Sequence, residues 1–159
     1  MDFKTLDHQL FMHAALQEAE QAGLAGELPI GAVIVHHGLI IGRGRASHRE
    51  RHSEIAHAEL NAMREAEKHI HDHIHDGIVL YTTVEPCVMC LGAVVMSYVD
   101  HIVFGLYDVN IHPEQMLAMP YVRRHIRDYL GGVLATESLE LFRRYRQQDA
   151  PFFSLSVLP

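Results

Sequence analysis

Two short segments hold the residue types that do chemistry: His57-Ala58-Glu59 and Pro86-Cys87-Val88-Met89-Cys90. Alone, a His-x-Glu is usually polar decoration on a helix, and a Cys-x-x-Cys reads equally well as a redox dithiol. Together they favour a metal. The chain has only 2 cysteines, both in this pair. His57, Cys87 and Cys90 therefore make three ligands suited to zinc and leave a fourth tetrahedral position open, as catalytic zinc sites do. Zinc lowers the pKa of bound water to about 7. Glu59, two residues past His57, is a carboxylate placed to relay that water's proton.

Helices and strands must bring these segments together. Apolar residues at helical spacing from about Thr5 to Ala22 predict a first helix, ended by Gly23 and Gly26. Ile30–Val35 and Leu39–Arg43, separated by His36-His37-Gly38, read as a β-hairpin. Ile55–Lys68 reads as a helix with Ser53 as N-cap, Ile78–Val84 as a buried strand, and Val88–Ser97 as a third helix. Pro86 suits a first-turn position of that third helix. His101–Gly105 is another strand, 113–120 a less regular stretch, and His125–Leu130 a fifth strand broken by Gly131-Gly132. Thr136 caps a final helix running to about Gln148. Both chemical segments fall near helix N-termini, where free N–H groups favour thiolate and other anionic charge. The order of elements gives an α/β layer arrangement with a mixed central sheet.

The 159 residues suit a single domain spanning 1–159. With 48% hydrophobic and 21% charged residues, the composition excludes a disordered or fibrous chain. No apolar run is long enough to cross a bilayer. The start, Met1-Asp2-Phe3-Lys4, lacks a basic segment leading into an apolar one, so a cytoplasmic location is expected. Thirteen basic against 20 acidic residues leave a net charge of −7, which argues against a long phosphate backbone as partner. Arg123-Arg124 and Arg143-Arg144-Tyr145-Arg146 remain as local basic patches. The tract His69-Ile70-His71-Asp72-His73-Ile74-His75-Asp76 reads either as a solvated loop or as a second metal site. The other histidines, His8, His13, His36 and His37 among them, read as surface or packing residues.

The pairing of H-x-E with P-C-x-x-C is the signature of zinc nucleobase deaminases. The chain strongly resembles the cytidine deaminase-like superfamily, and within it the branch of bacterial tRNA adenosine deaminase, guanine deaminase and fungal cytosine deaminase. The resemblance rests on Leu28–Val35, Ala56–Ala62, Leu80–Ala93 and Val103-Phe104-Gly105. It implies a three-layer α/β/α fold around a five-stranded mixed sheet. It also implies Zn2+ held by His57, Cys87 and Cys90, with Glu59 as proton shuttle and the peptide after Ala58 contacting the substrate base. A homodimer whose partner helps to close the site is implied as well. The activity implied is hydrolytic release of ammonia from a small aminated heterocycle.

Two departures bear on the substrate. Relatives carry an Asn after the second strand that hydrogen-bonds the substrate; Ala46 stands there, with Arg45, Ser47 and His48 as possible substitutes. Asp108 keeps an acidic residue common in tRNA adenosine deaminases, but Val109-Asn110-Ile111-His112 replaces the Lys-Thr-Gly-Ala that usually follows. Both departures favour a small-molecule substrate over tRNA, which stays as the alternative; a zinc-bearing binding domain without catalysis is the second. Leu28 could pack a flat ring and Tyr107 could stack on a base, although core and surface roles suit them equally. Phe152 and Phe153 could cover the site or pack against the first helix.

Overall fold

A computed structural model describes residues 3–111 and 113–157; Met1, Asp2, His112, Leu158 and Pro159 lie outside them. A 3-10 turn at Phe3–Thr5 precedes α1 (His8–Leu24), which starts later than its apolar spacing suggests. Asp7 caps it by accepting the Leu10 N–H at 3.0 Å. The hairpin follows as β1 (Gly31–His36) and β2 (Leu39–Arg45). The next elements are α2 (His48–Arg51), α3 (Ala58–Glu65), α4 (Glu67–Asp72), β3 (Val79–Val84), α5 (Val88–Met96) and β4 (His101–Asp108). The chain closes with α6 (Glu114–Ala118), α7 (Pro120–His125), β5 (Asp128–Leu130), α8 (Ala135–Tyr145), a 3-10 turn at Ala150–Phe152, and β6 (Phe153–Ser154).

The main sheet has the order β2-β1-β3-β4-β5. Its first three strands are antiparallel and its last three parallel. This is the mixed five-stranded sheet expected. Every residue of β1 and β3 is buried, so successive side chains feed two cores. Val33, Val35, Val79, Tyr81 and Val103 pack under α1 and Leu141 of α8. Ala32, Ile34, Leu80, Ile102 and Phe104 pack on the other face under α3 and α5. Among the described residues, no helix is long and apolar enough to cross a membrane.

Several boundaries differ from the pattern-based expectation, each for a local reason. The helix expected over Ile55–Lys68 begins at Ala58, because His57 is extended (φ −72°, ψ 152°) and serves as its N-cap in place of Ser53. Ala66 (φ −94°, ψ 4°) then separates α3 from α4. Pro86 lies just outside α5, whose N-cap is Cys87. The last helix starts beyond Leu134, which is left-handed at φ 51°, so Thr136 is internal and not the cap. Residues of the expected fifth strand before Asp128 are partly taken by α7. The addition that matters most is β6, which pairs antiparallel with the end of β4, Phe153 opposite Asp108.

Candidate functional site

The site forms where α3 and α5 both start beside the C-terminal end of β3. Each helix is capped by an extended residue that is a candidate ligand, His57 on α3 and Cys87 on α5. Cys90, one turn into α5, shares the face of Cys87 and is buried. His57 Nδ1 stands 3.6 Å from Cys87 Sγ and 3.5 Å from Cys90 Sγ. A tetrahedral zinc, with bonds of about 2.0–2.1 Å to nitrogen and 2.3 Å to sulfur, sets that separation at about 3.6 Å. The three donor atoms lie within 4.8 Å of one another. Their chemistry and spacing fit zinc.

The protons are arranged around the same atoms. The Cys90 hydrogen bond pulls the Cys87 thiol down to about 4, with burial opposing and His57 adding to the fall. That contact and burial push Cys90 up. His57 is raised by its hydrogen bond to Cys87, against burial. Glu59 is 4% exposed, and burial holds its carboxyl above the usual carboxylate range. Its Oε1 accepts from the Thr82 hydroxyl at 3.3 Å, while Oε2 lies 3.5 Å from Cys90 Sγ. Thr82 was not singled out by the motifs; its place on buried β3, opposite α3, is what brings it to Glu59.

A cavity of about 180 Å³ opens over these groups, lined by Leu28, Ala46, Ala58, Glu59, Asp108 and Phe153 together with His48, His57 and Cys87. Ala46 is 1% exposed and its N–H donates to Ile30 O, so this loop is fixed against the first strand. Asn61 Nδ2 donates to Arg45 O and Ser47 Oγ, and Glu27 Oε1 accepts the N–H groups of Arg49 and Glu50. Of the three substitutes for the missing Asn, His48 alone lines the cavity, its ring 4.9 Å from that of His57. Arg45 turns toward Glu18 instead.

Tyr107 is not brought into this cavity. It packs edge-on against Phe104 at 4.9 Å and lines an adjoining cavity of about 590 Å³ that shares Glu85 and Asp108 as walls. Asp108 Oδ1 accepts from Asn110 N at 2.8 Å, and the Asp108 N–H donates to Glu85. Burial raises the Glu85 carboxyl, which also accepts from Tyr129. Phe153 walls the metal-side cavity and packs against Phe142 with ring centroids 4.3 Å apart and the rings tilted by 43°, whereas Phe152 is 50% exposed. Neither packs against α1.

Residues 5–106 match the family described as the cytidine and deoxycytidylate deaminase zinc-binding region. The chain belongs to that family. Its cofactor is therefore zinc, and the match covers both ligand segments. A tRNA-specific adenosine deaminase of Bacillus subtilis (strain 168) is 45% identical over 100 residues, which is 63% of this chain and 62% of that protein. This chain thus spans less than two thirds of that relative's length. A solved structure of a tRNA:A34 deaminase acting in A-to-I editing superposes with a TM-score of 0.74 at 32% identity, over 83% of this chain and 98% of that one. Guanine deaminase from Nitrosomonas europaea superposes with a TM-score of 0.75 at 26% identity, over 86% and 83%.

Proposed function

We propose that this family member is a hydrolytic deaminase of an amino-bearing nucleobase, with adenosine in a tRNA as the substrate class its relatives favour. The observation that carries the reaction is Glu59: a buried carboxylate, outside the ligand set, on the wall of a cavity large enough for one ring system. Bound zinc supplies the Lewis acidity that makes water nucleophilic near neutral pH. Glu59 takes one proton of the water and delivers it to a ring nitrogen as the water oxygen bonds to the amino-bearing carbon, then moves the remaining hydroxyl proton to the departing amine. The C–N bond breaks, a C=O bond remains, and ammonia leaves. Thr82 orients Glu59 for these transfers. The Ala58 N–H, on the peptide before Ala58 and not the one after it, lies in the first turn of α3 with no partner within the helix and suits a ring acceptor. His48 supplies a polar contact in place of the Asn that Ala46 replaces.

The tRNA reading rests on relatives such as the Bacillus subtilis enzyme. A second reading, a free base or nucleoside, is favoured by the adjoining cavity. Among its described lining residues, Glu85, Asp108 and Glu114 are acidic and none is Lys or Arg. A passage for flanking phosphates is normally basic. Zinc-loaded protein incubated with an anticodon stem-loop, and separately with adenine, guanine, cytosine and their nucleosides, separates these readings. Inosine in the RNA supports the first and ammonia from a free ring supports the second. No product from any of them, with zinc fully bound, contradicts the deaminase reading itself.

A further inference from the structure

A second group of metal-ligating side chains lies at the other end of β1. The hairpin strand runs from Gly31, beside the cavity, to His36, five residues or about 17 Å away. The histidine tract that follows α3 alternates by two, but helical geometry selects by four. His69 in α4 and His73 at its C-cap stack with ring centroids 4.2 Å apart, while His71 and His75 are exposed. His36, only 4% exposed, fits against both, with its ring 5.0 Å from each. One ring nitrogen from each of His36, His69 and His73 falls within 4.8 Å of the other two.

The outer nitrogens are engaged as those of metal-bound histidines usually are. His36 Nε2 lies 3.1 Å from Asp76 Oδ2, a carboxylate that also takes His37 Nε2 at 3.3 Å. His73 Nδ1 donates to the His69 carbonyl at 2.9 Å. A carboxylate or carbonyl on one ring nitrogen fixes the tautomer and leaves a lone pair on the other. His36 Nδ1 faces His69 Nε2 at 2.9 Å, so these two nitrogens share one proton. Replacing that proton by an ion needs the pair to part slightly, since two nitrogens on a tetrahedral zinc stand about 3.3 Å apart. His69 and His73 sit on a short, partly exposed helix end that can yield this movement.

We propose that His36, His69 and His73 form a second metal site that takes a divalent transition ion of the Zn2+ class, with Asp76 orienting His36 and water as the fourth ligand. Three imidazoles without a thiolate suit zinc and its neighbours in the series. The ion ties the turn of the β1–β2 hairpin to the connection between α4 and β3, and binding to the native state alone raises stability.

The test is a titration of the zinc-loaded protein with Zn2+ alone, read by metal per chain and by Tm. The wild type is expected to take a second equivalent and to melt at higher temperature as it does so. His69→Gln and His73→Gln each lose that equivalent and the Tm gain, yet keep the first. Co2+ filling the second site gives ligand-field bands without a thiolate-to-metal charge-transfer band, which separates it from Cys87 and Cys90. A wild type that stops at one equivalent with no change in Tm overturns the proposal. So does a second equivalent that persists in both variants.

Discussion

At the scale of single residues, the proposed site divides the work between three ligands and one group that must stay off the metal. His57 and Cys90 are both held above their ordinary pKa values, and a metal requires them deprotonated. The affinity of metal-stripped protein for zinc should therefore fall as pH falls, with protons released on uptake; an indicator in weak buffer measures this, and uptake without proton release would contradict it. His48→Ala should reduce kcat/KM by about tenfold or more with zinc content unchanged, because a polar cavity wall becomes apolar. An unchanged kcat/KM would remove His48 from substrate contact. The grouping of His57, Glu59, Cys87 and Cys90 was legible in the sequence because each pair's spacing is fixed by local helix geometry. Thr82 and the His36–Asp76 pairing were not, since strands and helices far apart in the chain bring them together, and the choice of His48 among the three substitutes for the Asn needed the fold.

At the scale of elements, the start of α3 is set by how closely β2 approaches it. Gly44 has no room for a Cβ, which would meet Ala58 O and Ala62 N in the helix backbone. Gly44→Ala should cost about 1–3 kcal/mol of stability by overpacking. It should also lower activity, because the displaced turn carries His57, Ala58 and Glu59. Denaturant melts and turnover measured together check this, and full activity in a destabilised protein would detach the two effects. The order of α1, α3, α5 and α8 and of the five main strands could be read from apolar periodicity, whereas the short α2, α4, α6 and α7 could not. The starts of α3 and α8 could not, because His57 and Leu134 take up the flanking conformation for reasons of tertiary position, whereas α5 starts at Val88 as expected. The two-residue β6 has too little pattern to be seen, yet its pairing with Tyr107 and Asp108 is what carries Phe153 to the cavity.

At the scale of the whole molecule, charge and exposed apolar surface point to different partners. The net charge of −7 and the ion pairs of Arg144 with Glu20 and Arg146 with Asp149 leave little of the final basic cluster for phosphate. Binding of an anticodon stem-loop, if it supports catalysis, should weaken steeply with salt, whereas turnover of a free ring should not. On the opposite side of α5 from the core, Val88 and Met96 are each 64% exposed, and Met119 is 52% exposed. If two copies pair through this face, Met96→Glu shifts sedimentation toward monomer, and an unshifted dimer places the interface elsewhere. The central claim, that Glu59 moves protons and does not hold the metal, has one direct test. Zinc content and ammonia or inosine release are measured side by side in wild type and Glu59→Gln. Full zinc and a loss of turnover of about 10²–10⁴-fold are expected in the variant. Loss of zinc from the variant, or turnover near the wild-type rate, would contradict it.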